Sequence, residues 1–239
     1  MPKFGNDGAS TGTTFGFSHV DLSTLGASEY TLVTIAVDTS GSTSGFERDM
    51  EACLGTIVDS CRKSPRCDNL LLRVIEFNSR IKEVHGFKLL QDCSSADYAN
   101  KLHSYGSTVL YDATVSSVEG TIAQGKTLMD NDYLANGIVF IITDGEDNGS
   151  STGPNTARKL LDSVSKTESL ESLLTVLIGI EGLGSLQRYQ TEMGINLYQK
   201  LQDATPSSLA KLAGFISKSI SSQSQSLGTG GPSQALPTI

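Results

Sequence analysis

The feature that most constrains this fold is a series of short, continuously apolar segments separated by longer amphipathic ones. Four of them have the length of a strand: TLVTIAVD (31 to 38), NLLLRVIEFN (69 to 78), GIVFIITD (137 to 144) and LLTVLIGI (173 to 180). Apolar segments without polar alternation are typical of parallel strands that are buried on both faces. The sequence therefore predicts a central parallel sheet that helices cover on both sides.

The intervening segments have helical periodicity. Apolar side chains recur at helical spacing in residues 45 to 62, 111 to 129, 156 to 166 and 206 to 222. Residues 81 to 90 alternate between apolar and polar side chains, which indicates a strand or hairpin at the sheet edge. We expect an α/β fold: a doubly wound, mostly parallel central sheet, flanked by helices, with one antiparallel edge strand.

The two ends of the chain differ in composition from its body. Residues 1 to 28 are rich in Gly, Ser and Thr and have no sustained period, which predicts a flexible N-terminal arm. Three apolar side chains of this arm can still dock on the domain: Phe15, Phe17 and Val20. Residues 224 to 239 mix Ser, Gln, Gly and Pro, which predicts a disordered tail. Residues 29 to 223 are then one folded domain.

Charge and composition exclude several classes of partner. The net charge is -8, and no cluster of Lys and Arg offers a surface for nucleic acid. No apolar run approaches the roughly 20 residues that span a bilayer, and the first residues, MPKFGNDGAS, lack a secretory apolar stretch. The four cysteines form no C-x-x-C pair, so we expect reduced thiols. We therefore expect a cytoplasmic protein without nucleic-acid or membrane partners.

Oxygen-bearing side chains follow two of the predicted strands and precede one predicted helix. The first strand ends in DTSGS (38 to 42), the third apolar run ends in DGEDN (144 to 148), and GSTVLYDA (106 to 113) opens a helix. In a doubly wound sheet, ligands bind at the carboxyl ends of the strands. The candidate ligands at this edge are Asp38, Ser40, Ser42, Thr108 and Asp144.

These residue types favour a hard divalent cation. They offer carboxylate and hydroxyl oxygens and no imidazole or thiolate, which suits Mg²⁺ or Mn²⁺ better than zinc. Alternate positions of an extended turn can direct the side chains of Asp38, Ser40 and Ser42 to one ion, and Gly41 permits a tight turn. Because hydroxyl ligands are neutral, such an ion keeps its attraction for an incoming anion.

The D-x-S-x-S motif after a buried strand, the distant Thr108 and the later T-D-G at a strand end resemble the metal-ion-dependent adhesion site (MIDAS) of the von Willebrand factor A family. The resemblance covers roughly residues 30 to 220, and G-x-T-x-L-Y-D-A at 106 to 113 is similar to the form in microbial stand-alone members. It implies a Rossmann-like fold in which Asp38, Ser40, Ser42 and Thr108 are ligands or near-ligands. Asp144 would bind the metal directly or through water.

The resemblance also implies a function. Mg²⁺, or Mn²⁺ or Ca²⁺ in its place, would complete its coordination with an Asp or Glu of a partner protein in a multiprotein assembly. Similar microbial domains work beside AAA-type ATPases or with stress-response and defence factors. The chain has no P-loop and no matched nucleophile and histidine, so we expect no enzyme.

Other interpretations stay open. The metal site could be degenerate or only stabilise the loops of a structural protein, with the Ser/Gln-rich tail mediating assembly. A metal-dependent phosphoester hydrolase would need a general base, for which Asp144 and Glu146 are the nearby candidates. Asp112 is either a partner of the metal ligands or, as we favour, a charge in the first turn of a helix. Glu146 and Asp147 either shape the rim of the site or are solvated.

Overall fold

A computed structural model describes residues 14 to 164, 169 to 180 and 186 to 227. It contains a six-stranded sheet in the order β3-β2-β1-β4-β5-β6. The strands are β1 (Glu29–Asp38), β2 (Leu70–Phe77), β3 (Ile81–Leu89), β4 (Leu134–Thr143), β5 (Leu173–Ile180) and β6 (Leu197–Leu201). All neighbouring pairs are parallel except β2 with β3. The predicted doubly wound sheet with one antiparallel edge strand is confirmed.

Helices cover both faces of the sheet. They are α1 (Glu47–Cys61), α2 (Leu110–Met129), α3 (Pro154–Val164), α4 (Gln187–Met193) and α5 (Pro206–Ser226). One apolar cluster joins α1 and α5 to the sheet, and a second joins α2, α3 and α4 to it. None of the described helices combines the length and apolar composition that a bilayer would require.

The strand order reverses at the centre of the sheet. From β1 the chain passes to β2 on one side, and later returns to β4 on the other side of β1. Loops that leave the carboxyl ends of β1 and β4 therefore diverge to opposite faces and leave a crevice between them. This crevice is where the DTSGS and DGEDN segments lie.

Two elements of the structure were not expected from the sequence. Helix α4 has seven residues, too few for an apolar period to be recognised. Strand β6, LYQKL, is half-exposed along most of its length and lacks a continuous apolar run. Both are defined by their packing against β5 and α3 rather than by their own sequence pattern.

The predicted domain boundaries at residues 29 and 223 are too narrow. Phe17 is 4% exposed, and the Ser18 carbonyl accepts a hydrogen bond of 3.1 Å from the Phe87 amide of β3, so residues 14 to 28 are docked on the domain. At the other end, α5 continues to Ser226, and Ser224 is buried where it accepts a bond from Arg66. The polar composition of both segments gave no indication that they belong to the folded domain. Residues 1 to 13 and 228 to 239, with the rest of the predicted arm and tail, lie outside the described residues.

Candidate metal-binding site

The ends of β1 and β4 bring the two predicted carboxylates together. Val37 of β1 pairs with Ile142 of β4, so the strands end side by side. Asp38 is 5% exposed and its Oδ1 accepts a bond of 2.7 Å from the Ser40 amide, which turns the loop back over the strand end. Asp144 and Asp38 then line one pocket.

Hydroxyl groups connect these carboxylates. The Ser40 and Ser42 Oγ atoms lie 3.1 Å apart, and the Ser42 hydroxyl donates to Asp144 Oδ1 at 2.8 Å. The Thr143 hydroxyl donates to Asp38 Oδ2. Hydrogen bonds between oxygens therefore join Ser40, Ser42 and Asp144, and Asp38 is joined to them through the Ser40 amide.

Thr108, the fifth predicted ligand, faces the same space from the loop before α2. A Cβ atom placed on Gly145 would lie 3.6 Å from Thr108 Oγ1 and 3.7 Å from Ser42 Oγ, so both hydroxyls border Gly145. The backbone of Thr108 is fixed separately, since its amide donates to Asn148 Oδ1 at 2.8 Å. Its hydroxyl makes no hydrogen bond to any described residue, which leaves that oxygen for a ligand.

The electrostatics of the site favour a cation. Burial raises the pKa of Asp38 to about 6, against the opposing effect of hydrogen bonds from Thr143 and Ser40, and the nearby Asp144 raises it further. Burial also raises the pKa of Asp144. Within the described ranges, no Lys or Arg forms an ion pair with either carboxylate. One buried and one half-buried carboxylate, with three hydroxyls, thus fit a hard divalent ion that would neutralise the two carboxylates.

The described part of the site lacks the histidine and cysteine side chains that softer metals prefer. Among the described residues, no three His, Cys, Asp or Glu side chains converge on one point. All four cysteines are free, and three of them are buried. The site therefore combines two carboxylates, which balance the charge of a divalent ion, with hydroxyls that add no further negative charge around it.

The loop that carries Thr108 is held by buried carboxylates that sequence reasoning missed. Glu51 of α1 accepts bonds from three successive amides, those of Asn100, Lys101 and Leu102, at 3.0, 2.7 and 3.0 Å. Glu76 of β2 accepts a bond of 3.2 Å from the amide of His103. The sequence did offer a signal for Glu76, since it is a glutamate inside a buried apolar strand. A buried carboxylate needs a hydrogen-bond or charge partner, so its presence there indicates a structural contact.

Two backbone bonds then join this loop to the DTSGS turn. The Tyr105 amide donates to the Thr39 carbonyl at 2.9 Å, and the Gly41 amide donates to the Gly106 carbonyl at 3.1 Å. Gly106 has a φ of +72°, and a Cβ there would lie 2.2 Å from Ser79 Oγ, so only glycine fits. The DTSGS turn and the loop that carries Thr108 therefore hold fixed positions relative to each other.

The remaining acidic residues of the motif hold the surrounding loops. Asp112 lies in the first turn of α2, as expected, and accepts four bonds from the amides and hydroxyls of Ser151 and Thr152. Burial, which raises its pKa, is outweighed by these bonds, so the pKa lies below its usual value. Asp147 accepts a bond from the Tyr111 amide, and Glu146 pairs with Arg188 at 2.8 Å.

Comparison with known proteins identifies the fold. No protein-family model matches the sequence, and no curated protein is significantly similar to it. Solved structures are similar at low identity. A von Willebrand factor type A protein from Catenulispora acidiphila is 16% identical with a TM-score of 0.58, over 80% of this chain and 43% of that one.

Two further structures have the same architecture. The PilB minor pilin from Streptococcus sanguinis is 15% identical with a TM-score of 0.57, over 86% of this chain and 64% of that one. Proximal thread matrix protein 1 from the mussel byssus, solved with a zinc-occupied MIDAS motif, is 19% identical with a TM-score of 0.54, over 80% of this chain and 45% of that one. The chain spans less than two thirds of the length of each of these proteins, and it has the fold of a von Willebrand factor A domain.

Proposed function

We propose that this chain is a metal-dependent protein interaction module that binds an acidic side chain of a partner protein. The observation that carries the proposal is the convergence of the buried Asp38 carboxylate, the half-buried Asp144 carboxylate and three hydroxyls at the crevice between β1 and β4. No Lys or Arg of the described residues forms an ion pair with either carboxylate. The proposed ligands are Asp38, Ser40, Ser42, Thr108 and Asp144. A divalent ion there would supply a positive centre for a carboxylate from outside.

We propose Mg²⁺ as the physiological ion, with Mn²⁺ or Ca²⁺ as substitutes, because all donors are hard oxygens. The mussel protein binds zinc in its own MIDAS motif, and zinc generally exceeds Mg²⁺ in intrinsic affinity for a given site. Preference for Mg²⁺ would therefore depend on its abundance in the cell. Competition between the two ions at equal concentration measures their relative intrinsic affinity for the site.

We propose no catalysis. A hydrolase would need a general base beside a metal-bound water. Glu146 is exposed and paired with Arg188, and Asp144 already accepts a bond from Ser42.

The free, mostly buried cysteines agree with a cytoplasmic setting. In that setting, an AAA-type ATPase or a component of a stress or defence complex could supply the acidic group.

The proposal is tested by asking whether the ion accepts an external carboxylate. Metal-stripped protein is loaded with Mn²⁺, and the relaxation rate of water protons is followed while acetate or acetamide is added. Displacement of metal-bound water by acetate, and not by the uncharged acetamide, should lower the relaxation enhancement. An enhancement that acetate leaves unchanged would show an ion closed to outside acids, as expected if it only stabilises the loops.

A further inference from the structure

The candidate metal site opens into a groove between the start of α1 and the start of α5. The groove has a volume of about 590 Å³, and two proposed ligands, Ser42 and Asp144, are among the residues that line it. We call it the α1–α5 groove. A partner segment that reaches the metal from this side would lie along it.

The walls of the groove are apolar. Phe46, in the loop before α1, is 40% exposed and is one of three large hydrophobic side chains that the described residues leave exposed. Ile180, Ala204 and Pro206 line the groove with it. An exposed aromatic side chain beside a groove is typical of the residues that dominate binding energy in protein interfaces.

The charge of the groove is negative. Asp49 in the first turn of α1 and Asp203 in the loop before α5 both line it, and none of the described residues that line it is a lysine or an arginine. Hydrogen bonds from the Ser208 hydroxyl, from the Thr205 hydroxyl at 2.6 Å and from the Thr205 amide, together with the nearby charge of Lys211, keep the pKa of Asp203 below its usual value. Asp203 is therefore ionised at neutral pH. A divalent ion beside Ser42 and Asp144 would add a centre that can coordinate a carboxylate next to these negative side chains.

We infer that the α1–α5 groove selects a partner segment in which the metal-binding Asp or Glu is accompanied, within a few residues, by a Lys or Arg. The basic side chain would place its aliphatic part on Phe46 and its charge near Asp49 and Asp203. Charge complementarity supports a segment with both signs, because Asp49 and Asp203 outnumber the nearby Lys211 and would repel a segment that carried only acidic residues. This inference rests on the proposed function of the metal site and specifies its partner.

The test is a selection from a phage-displayed random-peptide library on the full chain in Mg²⁺, with bound phage released by EDTA. Selected peptides should contain an acidic residue with a basic residue a few positions away. One such peptide, labelled with fluorescein, is then titrated with wild type and with the double variant Asp49→Asn and Asp203→Asn. We expect binding to weaken about tenfold in the double variant.

Controls separate the groove from the metal site. Asp59→Asn removes a charge from an exposed position of α1 outside the groove and should leave peptide affinity unchanged. Asparagine can keep the bond that Asp203 accepts from the Thr205 amide, so the variants should fold. Phe46→Ala should also weaken binding about tenfold.

The outcomes distinguish the two proposals. Selected peptides could carry an acidic residue without a basic one and bind the double variant as tightly as wild type. That result would contradict the proposed role of the α1–α5 groove and would leave the proposed metal site intact. A selection that yields no EDTA-sensitive peptide, together with Mn²⁺ relaxation that acetate does not change, would overturn both.

Discussion

The carboxylate of Asp38 is 5% exposed, and burial raises its pKa to about 6 from an ordinary value of 3.8. A carboxylate whose pKa is higher in the folded protein than in the unfolded chain favours folding only while it is protonated. This contribution is fully present below about pH 4 and is lost as the pH rises through about 6. A shift of this size corresponds to roughly 3 kcal/mol that the metal-free protein lacks at neutral pH.

Asp38→Asn should therefore stabilise the metal-free protein near neutral pH by roughly 2 kcal/mol, and by almost nothing near pH 4. Asparagine can still accept the bond from the Ser40 amide and can donate to Thr143, whose hydroxyl can turn to the Gly145 carbonyl. The free energy of unfolding is measured in urea with EDTA at both pH values. A variant less stable than wild type near neutral pH would contradict the electrostatic cost assigned to Asp38.

The candidate ligands could be predicted from the sequence because their positions follow from local pattern. Asp38 and Asp144 each end an apolar run, and parallel strands present such ends at one edge. Glu51 could not be predicted as a support of the site, because its amide partners lie about fifty residues away along the chain. Nothing in the local sequence of α1 indicates which segment returns to it.

At the scale of elements, the irregular segment between β3 and α2 depends on α1 for its position. Glu51 binds its residues 100 to 102, and backbone bonds then link Tyr105 and Gly106 to the first ligand loop. Displacement of this segment would move Thr108 away from Ser42. Loss of groups that orient metal ligands typically lowers metal affinity by about tenfold or more.

Glu51→Gln should weaken Mn²⁺ binding about tenfold and destabilise the protein by roughly 2 kcal/mol. Glutamine keeps one acceptor oxygen, whereas both carboxylate oxygens of Glu51 accept bonds from backbone amides. Titration of metal-stripped protein and urea unfolding give the two quantities, with Asp59→Asn on the same helix as the matched control. Wild-type affinity in a destabilised Glu51 variant would show that the segment does not position Thr108.

The central strands could be predicted because they are buried, and β3 because its side chains alternate, whereas β6 has neither pattern. Strands β1, β2, β4 and β5 are buried along nearly their whole length, so their sequences are continuously apolar. Strand β6 at the sheet edge has one solvent-facing side, and its five residues carry no such pattern. Edge elements take their conformation from the neighbour that they pair with.

At the scale of the whole molecule, residues 14 to 28 complete the core. The ring of Phe17 lies 5.8 Å from the guanidinium of Arg73, which is fully buried and pairs with Glu83 at 2.7 Å. The amide and hydroxyl of Ser18 donate to the same glutamate. The segment thus shields a buried ion pair from water, and its composition alone did not reveal this.

Phe17→Ala should cost roughly 3 kcal/mol of unfolding free energy, because it opens a cavity beside a buried charge. Phe46→Ala is the matched control: this ring is 40% exposed, and its loss should cost less than about 1 kcal/mol. Both variants are unfolded in urea under identical conditions. If Phe17→Ala lost no more unfolding free energy than Phe46→Ala, residues 14 to 28 would not belong to the folded domain.

The metal site itself is tested most directly by calorimetric titration of the metal-stripped protein with Mg²⁺ and Mn²⁺. Wild type should bind one ion, Thr108→Val and Asp38→Asn should lose at least about tenfold in affinity, and Glu146→Gln, which removes a neighbouring exposed charge, should bind as wild type does. The absence of binding to wild type at millimolar metal, or equal binding by all four proteins, would contradict the assignment of these residues as ligands.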